Sequence, residues 1–145
     1  MNIFLPLLIL LLFFCWYFLN AEFCKGSLKT IRADYQESFV TEAQPIETFK
    51  AIMQYAIQNG YRIDDVDQQK LSLILNERMT LASYGSLYPI YVHESEGKTL
   101  VEVGATSKLG RVFRYNPINT YVVTDGLKNM VSNIKSVIIA LDTSN

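Results

Sequence analysis

The chain has 145 residues, of which 50% are hydrophobic, and a formal net charge of −1 at pH 7. Much of the apolar character lies in the first 23 residues, and the remainder has the length of one small domain. Beyond residue 32, ten Lys and Arg residues stand against thirteen Asp and Glu residues, which gives 10 − 13 = −3. This weakly acidic balance argues against a nucleic-acid binder, because affinity for nucleic acids depends mostly on neutralising phosphates.

The chain begins with an apolar run from Ile3 to Leu19 that contains Pro6 and no charged residue. Its length is at the short end of what a helix needs to cross a bilayer. We therefore predict a transmembrane anchor over residues 1–23. A cleaved signal peptide and a buried helix of a soluble protein are the alternatives. A signal peptide normally has a basic segment before the apolar run, and none is present here.

Three basic residues, Lys25, Lys29 and Arg32, follow the apolar run, and Glu22 is the acidic residue nearby. Basic residues that directly follow a membrane span favour the cytoplasmic side. We therefore predict a single-pass protein with a juxtamembrane connector over residues 24–34 and a cytoplasmic domain over residues 35–145. The three bases can also contact anionic lipid headgroups, at about 1 kcal/mol each.

The domain opens with a predicted short strand, 35–41, followed by an amphipathic helix. Pro45 suits the first turn of that helix, Glu47 lies near its positive end, and Asn59-Gly60 indicates where it stops. Apolar residues recur along it at the spacing of one helical face: Ile46, Phe49, Ile52, Met53, Ala56 and Ile57.

Four strands are predicted next, over about 61–66, 71–75, 87–94 and 99–107, and short connections between them indicate an antiparallel meander. Pro89 predicts an edge position or a bulge for the third of them, because proline donates no hydrogen bond to a neighbouring strand. A further short strand at Val112-Phe113 is an alternative to an irregular loop.

The last element has the clearest periodicity in the chain. Apolar residues recur at gaps of three and four, which predicts a long amphipathic helix: Val123, Leu127, Met130, Ile134, Val137 and Leu141. The predicted order is β-α-β-β-β-β-α. It corresponds to a two-layer α+β domain in which two amphipathic helices pack on an antiparallel sheet.

This order, with the opening PIETFKAIMQYAIQNGYRIDDVD, resembles the helix-grip arrangement of START and Bet v 1-like ligand-binding domains and of BamC domains. The resemblance covers roughly Tyr35 to Leu141 and concerns the pattern of elements. It implies ligand or lipid binding, or a role as an assembly scaffold. It supplies no site residues.

The most suggestive candidate site is the stretch from Lys108 to Tyr121, where basic and aromatic residues alternate: Lys108, Arg111, Phe113, Arg114, Tyr115 and Tyr121. Such residues can hold an anionic headgroup or an acidic partner. They can equally cap the end of the sheet with the aromatic rings inward. Tyr84, Tyr88 and Tyr91 present the same choice between a binding platform and the rim of the core.

Signals for catalysis and for metal binding are weak. His93 has no cysteine or second histidine in the domain with which to bind zinc. Asp64, Asp65 and Asp67 lack the ligand spacing of a calcium loop and are interpreted as solvated strand-end residues. We predict no catalytic residue, no metal and no cofactor.

The sequence therefore favours a non-enzymatic, membrane-anchored domain that binds membrane lipid or a membrane-associated protein. The first alternative is a carrier that holds a small apolar ligand or lipid in a cavity under the C-terminal helix, and an enzyme is the second.

Overall fold

The computed structural model describes residues 3–80, 84–108 and 117–143. These residues form three helices and five strands: α1 Phe4–Phe23, β1 Tyr35–Thr41, α2 Pro45–Gln58, β2 Arg62–Asp67, β3 Ser72–Asn76, β4 Ser86–Ser95, β5 Lys98–Ser107 and α3 Pro117–Asp142. The α+β prediction and its element order after α1 are confirmed. The alternative strand at Val112-Phe113 lies outside the described residues.

The five strands form one antiparallel sheet in the order β1-β5-β4-β3-β2. Strands β2 to β5 form the predicted meander, since each pairs with the next along the chain. Strand β1 pairs instead with β5, from Tyr35 opposite Ala105 to Thr41 opposite Thr99. The first strand of the domain therefore completes the sheet beside its last strand.

Helix α2 begins and ends where its sequence signals predict. Pro45 occupies the first turn, and Asn59 follows the last turn with its backbone N–H bonded to Tyr55 O. Gly60 then takes a φ of 74°, a left-handed conformation that favours glycine. One face of α2 is buried, with Phe49, Ile52 and Ala56 among its core residues, whereas Ile46 and Ile57 of the predicted stripe are exposed.

Helix α3 covers the same face of the sheet, which we call the inner face. Its buried stripe includes Val123, Leu127, Met130, Ile134 and Ile138. These side chains pack in one hydrophobic core with inward residues of β1, β3, β4 and β5, for example Phe39, Leu75, Ile90 and Val103. The predicted burial of Ile134 is confirmed, at 1% exposure.

Pro89 lies in a central strand, because β4 runs between β5 and β3. The expectation of an edge position is therefore wrong, and the pairings of β4 with β3 and β5 show no register shift that would indicate the alternative, a bulge. A Cβ added to Gly104 on the neighbouring strand would come within 2.9 Å of Pro89 Cγ. The absence of a side chain at Gly104 leaves the room that the proline ring occupies.

Helix α1 forms, but the prediction that residues 1–23 cross a membrane requires correction. No helix in the described part of the chain is both long enough and apolar enough for a membrane span. The apolar run of α1 ends at Leu19, before Asn20. From Phe4 to Leu19 a helix rises about 24 Å at ~1.5 Å per residue, less than the roughly 30 Å of hydrocarbon in a bilayer.

Residues 24–34, which we call the connector, lie across the opposite or outer face of the sheet. Gly26 is buried there, and a Cβ on it would come within 2.8 Å of Ile74 Cγ2. Farther along, a Cβ on Gly104 would come within 2.6 Å of Ala33 Cβ. The connector thus covers outward-facing side chains that include Ile74 and Leu87, both 0% exposed.

Candidate functional site

A group of polar side chains lies at the inner face of the sheet, where the surrounding core is apolar. It comprises Tyr55 of α2, Tyr61 just before β2, Glu77 just after β3 and Tyr88 of β4, which we call the tyrosine–glutamate cluster. Strand alternation puts Tyr88 on the face that also carries Ile90. The cluster lies toward the end of the sheet where β3 ends and β4 begins.

The tyrosine rings form a continuous row from α2 to β4. The ring centroids of Tyr55 and Tyr61 are 6.1 Å apart, and those of Tyr61 and Tyr88 are 6.4 Å apart in an edge-on arrangement. The hydroxyl of Tyr55 accepts a hydrogen bond of 3.2 Å from Asn133 Nδ2 of α3. This contact ties the row to the long helix.

The hydroxyl of Tyr88 reaches α3 at Gly126, in the first half of that helix. A Cβ on Gly126 would come within 2.6 Å of that oxygen. Glycine weakens a helix by about 1 kcal/mol relative to alanine. Its presence here is explained by the hydroxyl that lies against the helix backbone.

Glu77 is held by groups from two neighbouring segments. Its Oε2 accepts a hydrogen bond of 3.0 Å from the backbone N–H of Ser86. Its backbone carbonyl accepts one of 2.6 Å from Nζ of Lys108. Burial raises the pKa of the Glu77 carboxyl, while the Ser86 N–H, the Lys108 charge and the Tyr88 hydroxyl oppose that rise.

The two tyrosines nearest Glu77 are harder to ionise than tyrosine in water. Burial, followed by repulsion from neighbouring groups that include Glu77, raises the pKa of both Tyr61 and Tyr88. Both hydroxyls are therefore neutral over the whole physiological pH range. They can donate or accept hydrogen bonds inside an apolar environment, which suits recognition of an uncharged polar group.

The predicted stretch from Lys108 to Tyr121 is only partly described. Lys108 is buried, at 3% exposure, beside Glu77, and it does not lie on an exposed loop. Tyr121 is 73% exposed on the first turns of α3. The other four predicted residues lie outside the part of the chain whose side chains are described: Arg111, Phe113, Arg114 and Tyr115.

The three tyrosines singled out together occupy different environments. Tyr88 belongs to the cluster, Tyr91 is half-buried on the outer face, and the ring of Tyr84 lies 4.6 Å from that of Tyr17 in α1. His93 is on the outer face, with Nδ1 3.9 Å from Glu102 Oε2. Within residues 3–80, 84–108 and 117–143, no group of His, Cys, Asp and Glu side chains is arranged to hold a metal ion.

The predicted membrane-surface residues Lys25, Lys29 and Arg32 are all exposed on the connector. The aspartates Asp64 and Asp65, in contrast, are not merely solvated. Their carboxylates accept hydrogen bonds of 2.8 Å from the backbone of the connector. Sequence periodicity gave no signal for this role, because neighbouring strand residues normally point to opposite faces.

The fold can be compared with solved structures. The crystal structure of Ara h 8.0201 matches with a TM-score of 0.58, over 77% of this chain and 97% of that chain, at 13% sequence identity. The chain has the helix-grip fold. This confirms the resemblance to Bet v 1-like domains at the level of architecture. No protein-family model matches the sequence, and a search of curated proteins gives no match either.

Within the helix-grip architecture, α3 is the long helix that lies across the sheet, and the tyrosine–glutamate cluster lies between them. The connector buries outward-facing side chains of the sheet, such as Ile74 and Leu87, that α2 and α3 on the inner face do not cover. The sequence signal that could have indicated it is Gly26, a residue small enough to lie flat on a sheet.

Proposed function

We propose that this helix-grip domain binds a small, mostly apolar ligand that carries one uncharged polar group, between α3 and the inner face of the sheet. The observation that carries the proposal is the tyrosine–glutamate cluster in an otherwise apolar core. The helix-grip resemblance to ligand-binding domains supports it independently.

The chemistry of the cluster favours a hydroxyl or a carbonyl on the ligand. The neutral tyrosine hydroxyls can each donate or accept a hydrogen bond, so they can bind an uncharged polar group of a ligand. A carboxylate is a poor match, because it would lie near the carboxyl of Glu77 in a region of low dielectric. The apolar remainder of the ligand would contact core side chains of α3 and β4.

A matched pair of probes tests this proposal: a long-chain primary alcohol and the carboxylic acid of the same chain length. Binding to the purified full chain in lipid nanodiscs is followed by calorimetry, with empty nanodiscs as the blank. We expect saturable binding of the alcohol and much weaker binding of the acid. Equal binding of the two probes, or no uptake beyond the blank, would contradict the proposal.

Two variants locate the site. Replacing Tyr88 with Phe removes the interior hydroxyl and should weaken alcohol binding about fivefold, because one net hydrogen bond is worth about 1 kcal/mol. Tyr91→Phe removes a hydroxyl from the outer face of the same strand and should leave binding unchanged. If both variants bind the alcohol like the parent, the Tyr88 hydroxyl does not contact the ligand.

We further propose that α1 is covered by lipid and so holds the domain at a membrane. From Phe4 to Trp16 its side chains are exposed all around the helix, for example Phe4 at 77%, Leu10 at 68% and Leu12 at 60%. Leaving such a surface in water is unfavourable by about 25 cal/mol per Å². The exposed bases Lys25, Lys29 and Arg32 would then lie among the headgroups, and the cytoplasmic leaflet is the one that carries anionic lipid.

Flotation with vesicles tests the lipid contact. The full chain should rise with phosphatidylcholine vesicles, and more of it should rise when phosphatidylserine is included. Changing the three bases to Gln should abolish that increment and keep the basal fraction. Protein that stays at the bottom of the gradient, or that floats only with a captured protein partner, would contradict lipid as the cover of α1.

A further inference from the structure

Two neighbouring aspartates hold the connector against the sheet. Asp64 Oδ2 accepts the backbone N–H of Gly26, and Asp65 Oδ2 accepts that of Leu28, both at 2.8 Å. In a regular strand these side chains would point to opposite faces. The pairing of β2 with β3 shifts between Ile63 and Asp65, which identifies a bulge at Asp64. The bulge lets both carboxylates reach the outer face.

The same group of residues holds the end of α1. The carbonyl oxygen of Cys24, directly after the helix, accepts hydrogen bonds from Arg62 Nη2 at 3.1 Å and Asn76 Nδ2 at 2.9 Å. The second hydrogen of that amide goes to Asp64 Oδ2 at 2.7 Å, and Arg62 Nε is 2.7 Å from Asp64 Oδ1. We call Arg62, Asp64, Asp65 and Asn76 the clamp.

A separate contact is made about two turns earlier, in α1. The hydroxyl of Tyr84 donates a hydrogen bond of 3.0 Å to the backbone carbonyl of Tyr17, and the two rings lie in contact. Helix α1 is therefore held at two places, and only Lys25 separates the fixed Cys24 carbonyl from the fixed Gly26 N–H. A flexible tether would show neither feature.

The clamp lies at the end of the domain that also holds the tyrosine–glutamate cluster. Asn76 of the clamp adjoins Glu77 of the cluster, and Tyr84 lies close before Ser86, which binds Glu77. The first half of α3 is at this end too, since Gly126 contacts Tyr88. We call this the α1 end of the domain.

We propose that the clamp fixes the α1 end of the domain against an anionic lipid bilayer, so that the tyrosine–glutamate cluster lies next to the lipid and exchanges its ligand there. This inference rests on the proposed lipid contact of α1. Charge complementarity favours lipid as the partner, because exposed Lys25 and Lys29 lie on the connector beside the clamp. Exposed Tyr121 and Val122, at 73% and 40%, add the aromatic and apolar character of an interfacial surface.

A fluorescence experiment on the full chain measures which end faces the lipid. The natural cysteines Cys15 and Cys24 are changed to Ser, and a single cysteine is introduced by Tyr121→Cys or by Ile139→Cys. These positions are both exposed and lie about 27 Å apart along α3, at ~1.5 Å per residue. Each variant is labelled with a fluorophore and bound to phosphatidylcholine–phosphatidylserine vesicles whose headgroups carry a quencher.

We expect severalfold stronger quenching at position 121 than at position 139. Asp65→Ala, which removes the acceptor for Leu28, should reduce that contrast and accelerate hydrogen exchange at the Leu28 amide. Asp67→Ala is the matched control and should leave both readouts unchanged, since within the described residues Asp67 accepts the turn amides of Gln69 and Lys70 and no amide of the connector.

The outcomes separate this inference from the proposals on which it rests. Protein that floats with vesicles but is quenched equally at both positions overturns the inference and leaves the lipid contact of α1 intact. A contrast that survives Asp65→Ala unchanged overturns the role of the clamp. Failure to float overturns the lipid contact and this inference together.

Discussion

Asp64→Ala tests whether the clamp contributes to the free energy of unfolding of the domain. The Asp64 side chain is 1% exposed and accepts hydrogen bonds from Gly26 N, Arg62 Nε and Asn76 Nδ2. Alanine would leave the buried N–H of Gly26 and one amide hydrogen of Asn76 unpaired, at about 1–3 kcal/mol each. Arg62 is 37% exposed and keeps its bond to Cys24 O, so solvent screens most of its lost ion pair.

These terms sum to a loss of about 3 kcal/mol in the free energy of unfolding, which corresponds to roughly a 100-fold change in the equilibrium constant. Urea unfolding of the full chain in mild detergent, followed by circular dichroism, measures it. Asp67→Ala, which removes only turn hydrogen bonds at the exposed end of β2, should change the free energy by about 0.5 kcal/mol or less. If the two variants are equally stable, the clamp contributes no stability and its contacts are incidental.

Three further perturbations address other parts of the fold. Ile134→Asp places an unpaired charge under the sheet, at a cost of several kcal/mol, and should abolish the cooperative melt seen by calorimetry, whereas Ser136→Asp on the exposed face of α3 should melt normally. Gly26→Ala forces a Cβ to within 2.8 Å of Ile74 and should lower the urea midpoint by the equivalent of about 1–3 kcal/mol; an unchanged midpoint would show that the connector can lift without cost. The raised pKa of Glu77 means that the folded state binds this proton more tightly than the unfolded state, so the contribution of Glu77 to stability is greatest below the usual pKa of 4.5 and falls as the pH rises through the folded value. Glu77→Gln removes that loss, and its stability relative to the parent should increase between pH 4 and pH 7; a constant difference would refute the assignment.

The elements of the domain were predictable because their periodicities are local. The stripes of α2 and α3 and the alternation of the four meander strands are determined by burial against a single layer, and the helix-grip order follows from them. The pairing of β1 with β5 is not local. Nothing in residues 35–41 specifies which distant strand they join.

Periodicity does not predict the packing of the connector or the clamp, for a different physical reason. Residues 24–34 show no apolar period, because Gly26 and Ala33 contact the sheet through their backbone and Cβ and not through large side chains. Asp64 and Asp65 reach one face only because a bulge interrupts β2, and a bulge leaves no mark in the periodicity. The edge position predicted from Pro89 was wrong for a related reason, since the room for its ring in a central strand is supplied by Gly104 on another strand.

The pairing of Tyr35 with Ala105 also bears on how the polypeptide folds as it leaves the ribosome. Strand β1 is made first in the domain, yet its hydrogen-bonding partner is synthesised about 60 to 70 residues later. Until then the nascent chain carries an open strand and an uncovered apolar layer, because α3 is still to come. Contacts of such large sequence separation form slowly. The nascent domain is therefore protected against aggregation only after β5 and α3 have been synthesised.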